Sequence, residues 1–354
     1  MTDATPRPML RRFPVRLDLA RGRVEMTHGG GGRAGAQLVE EIFFRHFGNA
    51  ELAKAADQAQ LSIMGGRIAV STDCHVVSPL FFPGGDIGTL AVNGTVNDIA
   101  MAGARPRWLT AGFILEEGFP LADLDRIASS MAQAAAEAGV EIVTGDTKVV
   151  ERGKADGVFI TTSGIGVIPD GVFLGASRIA PGDAIIVSGS LGDHGMAILS
   201  RRENIDFDSP IESDCAPLNG LVEVMLAASA DLHALRDPTR GGLSAVLNEL
   251  AHDSGTGMVI DESAIPVSET VHAGCELLGL DPVNIANEGK LVAFCPTSES
   301  DRLVQVMRQH SRGFGAAVIG HVTATQPGLV RMRTKFGGER VVDWLNGEQL
   351  PRIC

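Results

Sequence analysis

The chain has 354 residues, 44% of them hydrophobic and 21% charged, the composition of a globular protein long enough for two cores and unlike that of a disordered chain. Thirty Lys and Arg stand against 43 Asp and Glu, and a net charge of −13 repels polyphosphate backbones and anionic membranes, so neither nucleic acid nor a lipid surface is expected as a partner. No apolar run reaches the roughly 18 residues of a membrane span, and five cysteines without a CxxC pair suit a reducing compartment, read as the cytoplasm.

Residues 1–23 carry six Arg, two Asp and three Pro without periodicity, and read as a mobile basic arm. After the run His28-Gly29-Gly30-Gly31-Gly32, residues 34–47 place Leu38, Ile42 and Phe43 on one helical face. A strand is expected at 67–72, a helix at 86–102, a strand at 108–115, a helix at 121–138 and strands at 140–144 and 157–168, which together make a first unit over 24–172. The turn Pro181-Gly182-Asp183 opens a second α/β unit over 173–330, with helices at 219–230 and up to 252 and strands at 184–188, 257–260, 291–294 and 318–322. Residues 331–354 read as a mobile tail ending in Cys354.

Three aspartates stand out at strand ends or within a polar helix: Asp73, Asp98 and Asp146. Mg²⁺ takes carboxylate oxygens together with water and phosphate, so the three suit a Mg-nucleotide; helix and turn caps are the alternative for each. The glycine run lacks the Lys-Ser/Thr ending of a P-loop, and either wraps a phosphate or serves as a hinge. In Asp237-Pro238-Thr239-Arg240-Gly241-Gly242, amides and Arg240 could hold an anion before a helix, or simply make a capped turn.

Lysine is scarce, and Lys148 and Lys290 each follow an acidic residue by two positions. Lys148 could neutralise a phosphoryl group and Glu288 could take a proton, unless these stretches are surface hairpins. Cys74 and His75 are neighbours that point apart from a strand and read as packing, as do Cys215, Cys275 and Cys295. Cys354 differs, because a last residue has little packing around it. From Gly338 it has a reach of roughly 50 Å, enough to swing across a domain.

Taken in order, His28-Gly29-Gly30-Gly31-Gly32, Ser71-Thr72-Asp73, Pro79-Leu80-Phe81-Phe82-Pro83-Gly84-Gly85, Asn97-Asp98, Gly145-Asp146-Thr147-Lys148-Val149-Val150, Asp237 to Gly242, Asn287-Glu288-Gly289-Lys290 and Pro351-Arg352-Ile353-Cys354 resemble the HypE family of hydrogenase maturation proteins. That family lies in the superfamily of aminoimidazole ribonucleotide synthetase and selenophosphate synthetase, and the resemblance runs from about residue 24 to the end. It implies a two-domain α/β fold of the α+β type: an N-terminal sheet that forms a homodimer interface, a C-terminal α/β sandwich and a flexible tail. It also implies ATP and Mg²⁺ as cofactors, with Asp73, Asp98 and Asp146 holding the metal near the subunit interface. Gly31, Gly32, Asp86, Asn97 and Thr147 complete the nucleotide-binding candidates, and Cys354, Lys148 and Glu288 are the catalytic ones.

The activity so implied is that of a carbamoyl dehydratase. A carbamoyltransferase, HypF, loads Cys354; ATP activates the amide oxygen; loss of phosphate leaves S-thiocyanate, which passes as cyanide to hydrogenase iron through HypC and HypD. A small-molecule kinase or ligase such as selenophosphate synthetase is the alternative enzyme, although that enzyme's reactive N-terminal Cys is missing from the glycine-rich region. An ATP-gated scaffold whose terminal thiol delivers a metal or ligand is the alternative of another class.

Overall fold

A computed structural model of the chain describes residues 13, 15–29, 33–54, 61, 63, 65–205, 210–229, 231–343 and 352–354. Helix α1 (Arg33–Leu38) runs through a π-helical turn at Val39–Phe44 into Arg45–Phe47, and Leu38, Ile42 and Phe43 are buried as their spacing predicts. Four strands follow: β1 (Arg67–His75), β2 (Arg105–Glu116), β3 (Glu141–Val150) and β4 (Val158–Ile168). They lie in the order β1-β4-β2-β3, with β2 and β3 parallel and the other pairs antiparallel.

Helices α2 (Ile87–Met101) and α3 (Leu121–Ala138) pack on each other, and α2 covers one face of this sheet. Parallel strands need a long crossover, and α3 provides it between β2 and β3. Helix α2 is buried nearly all round, because the sheet lies on one side and the second half of the chain on the other. Ala100 and Met101 share a core with Leu221 and Leu303. The opposite face of the sheet is uncovered in the single chain. There Val70 pairs with Ile165 and Ile165 with Trp108, while Ile68, Val70 and Ile114 are exposed.

The second sheet has seven strands: β5 (Asp183–Val187), β6 (Ala234–Arg236), β7 (Gly257–Asp261), β8 (Val292–Pro296), β9 (Ala317–Thr323), β10 (Val330–Arg333) and β11 (Glu339–Val341). Their order is β11-β10-β7-β9-β5-β8-β6. Around it lie α4 (Asp193–Glu203), α5 (Asn219–Ala228), α6 (Gly242–Ser254), α7 (Glu269–Leu278) and α8 (Thr297–Gln309). Leu243, Leu247 and Ala251 of α6 pack in one cluster with Ile185 and Val187; Leu221 and Met225 of α5 and Leu303 and Met307 of α8 pack with Ile186. Coverage of both faces is why β5 reads as a continuous apolar run rather than an alternating one.

Two boundaries differ from the sequence reading. Residues 331–343 are not a mobile tail, because β10 pairs with β7 and β11 with β10, and Val330, Met332 and Val342 enter the core. Residues 17–23 do not belong to a mobile arm either: Leu17 and Leu19 pack on the first core, the Leu17 amide donates to Glu41 Oε2 at 2.9 Å, and Arg23 bridges to Pro120. Among the described residues no helix is long and apolar enough to cross a membrane.

Candidate active site

The last three residues lie in the cleft between the two halves. Ile353 is buried in the first core, and the tail is otherwise held mainly through its backbone. The Arg352 carbonyl accepts from the Ser78 amide at 3.2 Å and from Arg202 Nη2 at 2.9 Å, and the Ile353 carbonyl bonds His194 Nε2 at 2.9 Å. A carbonyl can only accept, so Nε2 carries a proton. Burial lowers the pKa of His194 and keeps the ring neutral, which leaves Nδ1 to accept from the Ser213 hydroxyl at 2.8 Å. Arg352 also pairs with Asp156.

This docking sets the Cys354 thiol against Glu288, and the thiol donates to its carboxylate. Burial and then the neighbouring Glu288 charge push the Cys354 thiol far above its ordinary range. Burial, Asp237 and Asp214 likewise raise the Glu288 carboxyl well above the usual carboxylate range. The residues around Glu288 hold it in place. Asn287 Nδ2 donates to the Pro238 carbonyl at 2.9 Å and its Oδ1 accepts from the Gly192 amide at 2.8 Å; Asp214 takes the Glu288 amide and Lys290 Nζ, each at 2.9 Å. Gly289 must be glycine, since a Cβ there would collide with the Asp214 carbonyl oxygen.

Beside this pair lies a group of carboxylates. Asp73 on β1 faces α2, where a side chain at Gly94 would meet its Oδ2 at 3.2 Å, and Ser71 Oγ donates to Asp98 Oδ2 at 2.7 Å. Burial raises the Asp98 carboxyl against the pull of Ser71, and Asp73 adds to the rise. Burial and then the charge of Asp98 raise Asp237 to about 7. Mg²⁺ commonly takes one or two carboxylates and completes its shell with water and phosphate. The donor pair Asp73 and Asp98 therefore fits an ion brought in with a nucleotide. Among the described residues no three His, Cys, Asp or Glu side chains converge into a ready-made cage.

The sequence reading is corrected at several positions. Asp146 does not join Asp73 and Asp98 within one chain: β1 and β3 are opposite edges of the sheet, three strand spacings or roughly 14 Å apart. Asp146 and Lys148 pair with Gly112 and Ile114 and so point to the uncovered face, 3.3 Å from each other and largely exposed. Thr147 lies between them, its amide bonded to Asp146 Oδ1 at 2.8 Å. Asp73 and Asp146 also sit inside strands rather than past their ends, since edge strands tolerate polar residues over their full length.

Asp86 caps α2, with Oδ1 accepting from the Gly88 amide at 2.8 Å, the Thr89 amide at 2.9 Å and Ser130 Oγ at 2.6 Å. Asn97 bonds the Ala216 and Glu288 carbonyls and the Leu218 amide, so it ties α2 to the second half. Gly31 and Gly32 fall outside the described residues. Glu288 and Lys290 form no surface hairpin, and Cys74 is exposed on the uncovered face rather than packed, with His75 buried beneath. Sequence reasoning passed over Asn93, His194, Arg202 and Ser213. Asn93 did leave a signal: it lines up with Thr89 and Asn97 as a polar row on a helix that is otherwise largely apolar.

The AIR synthase related protein families match both halves, the N-terminal domain over residues 55–168 and the C-terminal domain over 180–332. The carbamoyl dehydratase HypE of Azotobacter vinelandii is 61% identical over 339 residues, covering 96% of this chain and 99% of that protein. A crystal structure of the hydrogenase maturation protein HypE in complex with ATP superposes with a TM-score of 0.90 at 50% identity, over 93% of this chain and 99% of that one. HypE in a HypE-HypF complex superposes at 0.77 with 48% identity, over 87% of this chain and 99% of that one. With the docked Cys354 and its carboxylate neighbours in place, these similarities show that the chain belongs to the HypE carbamoyl dehydratase family of the AIR synthase superfamily.

Proposed function

We propose that this chain carries a carbamoyl group on Cys354 Sγ and dehydrates it with ATP to S-thiocyanate, the cyanide source for the iron of [NiFe] hydrogenase. The observation that carries the reading is the position of the Cys354 thiol: hydrogen-bonded to Glu288 in the cleft between the two halves, with Asp73 nearby. In that position the thiol is protonated and unreactive, so loading takes place on the undocked tail, in contact with a carbamoyltransferase. The HypE-HypF complex among the relatives supports HypF as that partner; HypC and HypD as downstream acceptors are proposed from the family resemblance alone.

Once the loaded tail is docked, its amide oxygen attacks the γ-phosphoryl group of ATP. One N–H proton passes to Glu288, giving an S-bound iminophosphate and ADP. The C–O bond then breaks, the second N–H proton leaves with the phosphate, and a C≡N triple bond remains on Sγ. A carboxyl raised by burial lies nearer neutrality than an ordinary Glu, which suits a base that takes and returns protons. Mg²⁺ held by Asp73 and Asp98 would offset charge on the nucleotide phosphates. Burial of Glu288 and of Ile353 beside the thiol limits the access of water to the iminophosphate.

The uncovered sheet face supports a homodimer. A two-fold axis along the strands sets β3 of one copy over β1 of the other, which would bring the partner's Asp146 and Lys148 toward Asp73. Glu288→Gln tests the chemistry: Cys354 should still be carbamoylated, with thiocyanate formation slowed by about 10³. An unchanged rate would remove Glu288 from the mechanism.

A further inference from the structure

Among the described residues, two buried side-chain oxygens have no hydrogen-bond partner, Asn93 Oδ1 and Glu288 Oε1. Both residues are 4% exposed. An unpaired buried acceptor has given up its water for nothing, so two in one molecule call for a common reason.

Both residues border Cys215, whose sulfur accepts from Asn93 and whose thiol feels the Glu288 charge. Asn93 lies one turn before Asn97 on the same face of α2, and Asn97 donates to the Glu288 backbone carbonyl at 3.2 Å. Asn93 Nδ2 donates to Cys215 Sγ at 3.6 Å, which fixes the amide and turns Oδ1 away from that sulfur. Cys215 and Cys354 pack against the same core cluster, and the Cys354 thiol takes up one side of the Glu288 carboxylate, leaving Oε1 free.

A carbamoyl group on Cys354 has two N–H donors on one nitrogen. We propose that Asn93 Oδ1 and Glu288 Oε1 accept these two N–H groups, which makes Asn93 a substrate-contacting residue. The inference rests on the functional reading above. Asn93 holds one N–H while Glu288 takes the other proton, and the amide oxygen is turned toward the γ-phosphoryl group. As the C–N bond order rises, the first proton goes to Glu288, the O–P bond forms and ADP leaves; the second N–H, released from Asn93, departs with the phosphate. An N-alkylated carbamoyl group lacks the second proton and cannot complete the sequence. Loading removes the S–H bond to Glu288 and supplies two N–H donors to two oxygens that the free thiol leaves unpaired, a net gain of one hydrogen bond that favours docking.

Single-turnover dehydration of Cys354-carbamoylated protein with Mg-ATP, followed by intact mass, tests this in wild type, Asn93→Leu and Asn93→Asp. Asn93→Leu should keep loading and Mg-ATP affinity and slow thiocyanate formation by about 10- to 100-fold, the loss of one hydrogen bond in a buried site. Asn93→Asp, which keeps an acceptor oxygen but adds a buried charge near Glu288, should be slower than wild type and faster than Asn93→Leu. Carbamoylation should raise the Tm of wild type and raise that of Asn93→Leu less, while unmodified Asn93→Leu should melt no lower than unmodified wild type. A wild-type rate in Asn93→Leu, or a lower melting point of its unmodified form, would overturn the proposal. Wild type that loads but makes no thiocyanate would instead overturn the functional reading, and this inference with it.

Discussion

The Cys354 thiol and the Glu288 carboxylate meet in a cleft where burial raises the pKa of both groups. A shared proton is stable there only while the thiol stays protonated, so this contact stores the tail without activating it. Substitution of either group separates storage from chemistry, and the contacts behind them decide how long the tail stays docked.

The latch is the first place to look. Removing the bonds to the Arg352 and Ile353 carbonyls should free the tail while sparing the fold. Arg202→Ala or His194→Ala should raise the rate of Cys354 alkylation by iodoacetamide about 10-fold, as expected for the loss of one hydrogen bond, from a charged donor in Arg202 and a neutral one in His194. Peptide mapping of the alkylated residue gives the answer, and equal rates would remove the latch.

Asp98→Asn should have opposite effects on binding and stability. It removes a carboxylate whose burial beside Asp73 is unfavourable, so the nucleotide-free protein should melt higher. The same change should weaken Mg-ATP binding by about 100-fold in calorimetry, since the ion loses one of its few protein ligands.

Asp237 makes stability depend on pH. Its folded pKa of about 7 stands above the ordinary carboxylate value of 3.8, so the folded state binds the extra proton, and stability falls as pH rises through that interval and levels off above it. Asp237→Asn should flatten the dependence, raising Tm at pH 8 by several degrees and at pH 4 by little, a gain of about 2 kcal/mol or more at the higher pH.

The uncovered sheet face gives a prediction about assembly. Val70 is 65% exposed and continues the apolar row of Ile165 and Trp108. Val70→Glu should shift the protein to monomer in light scattering and lower ATP-dependent dehydration at least 10-fold, because the buried charge lacks a partner. A fully active monomeric wild type would contradict the dimer.

Much of this was legible in the sequence. Helix α3 begins and ends where its periodicity predicts, and β4, β7 and β8 follow their apolar runs closely. Strands β10 and β11 escaped because short strands at a sheet end carry Arg and Glu on an exposed face, and α4 because its polar start after Gly192 resembles a loop. In the site, Glu288 and Cys354 stood out through their motifs. Asn93 and His194 did not, since the reason for each is a partner more than a hundred residues away, and the series Asp73, Asp98 and Asp146 does not show that β1 and β3 are opposite edges of one sheet.

The most direct measurement is the intact mass of the protein and of its C-terminal peptide after loading by the carbamoyltransferase and again after Mg-ATP. The account predicts one carbamoyl group on Cys354, then loss of one water from that residue, and neither in Cys354→Ala. Carbamoyl or thiocyanate on Cys74, Cys215, Cys275 or Cys295, or thiocyanate formed by Cys354→Ala, would contradict it.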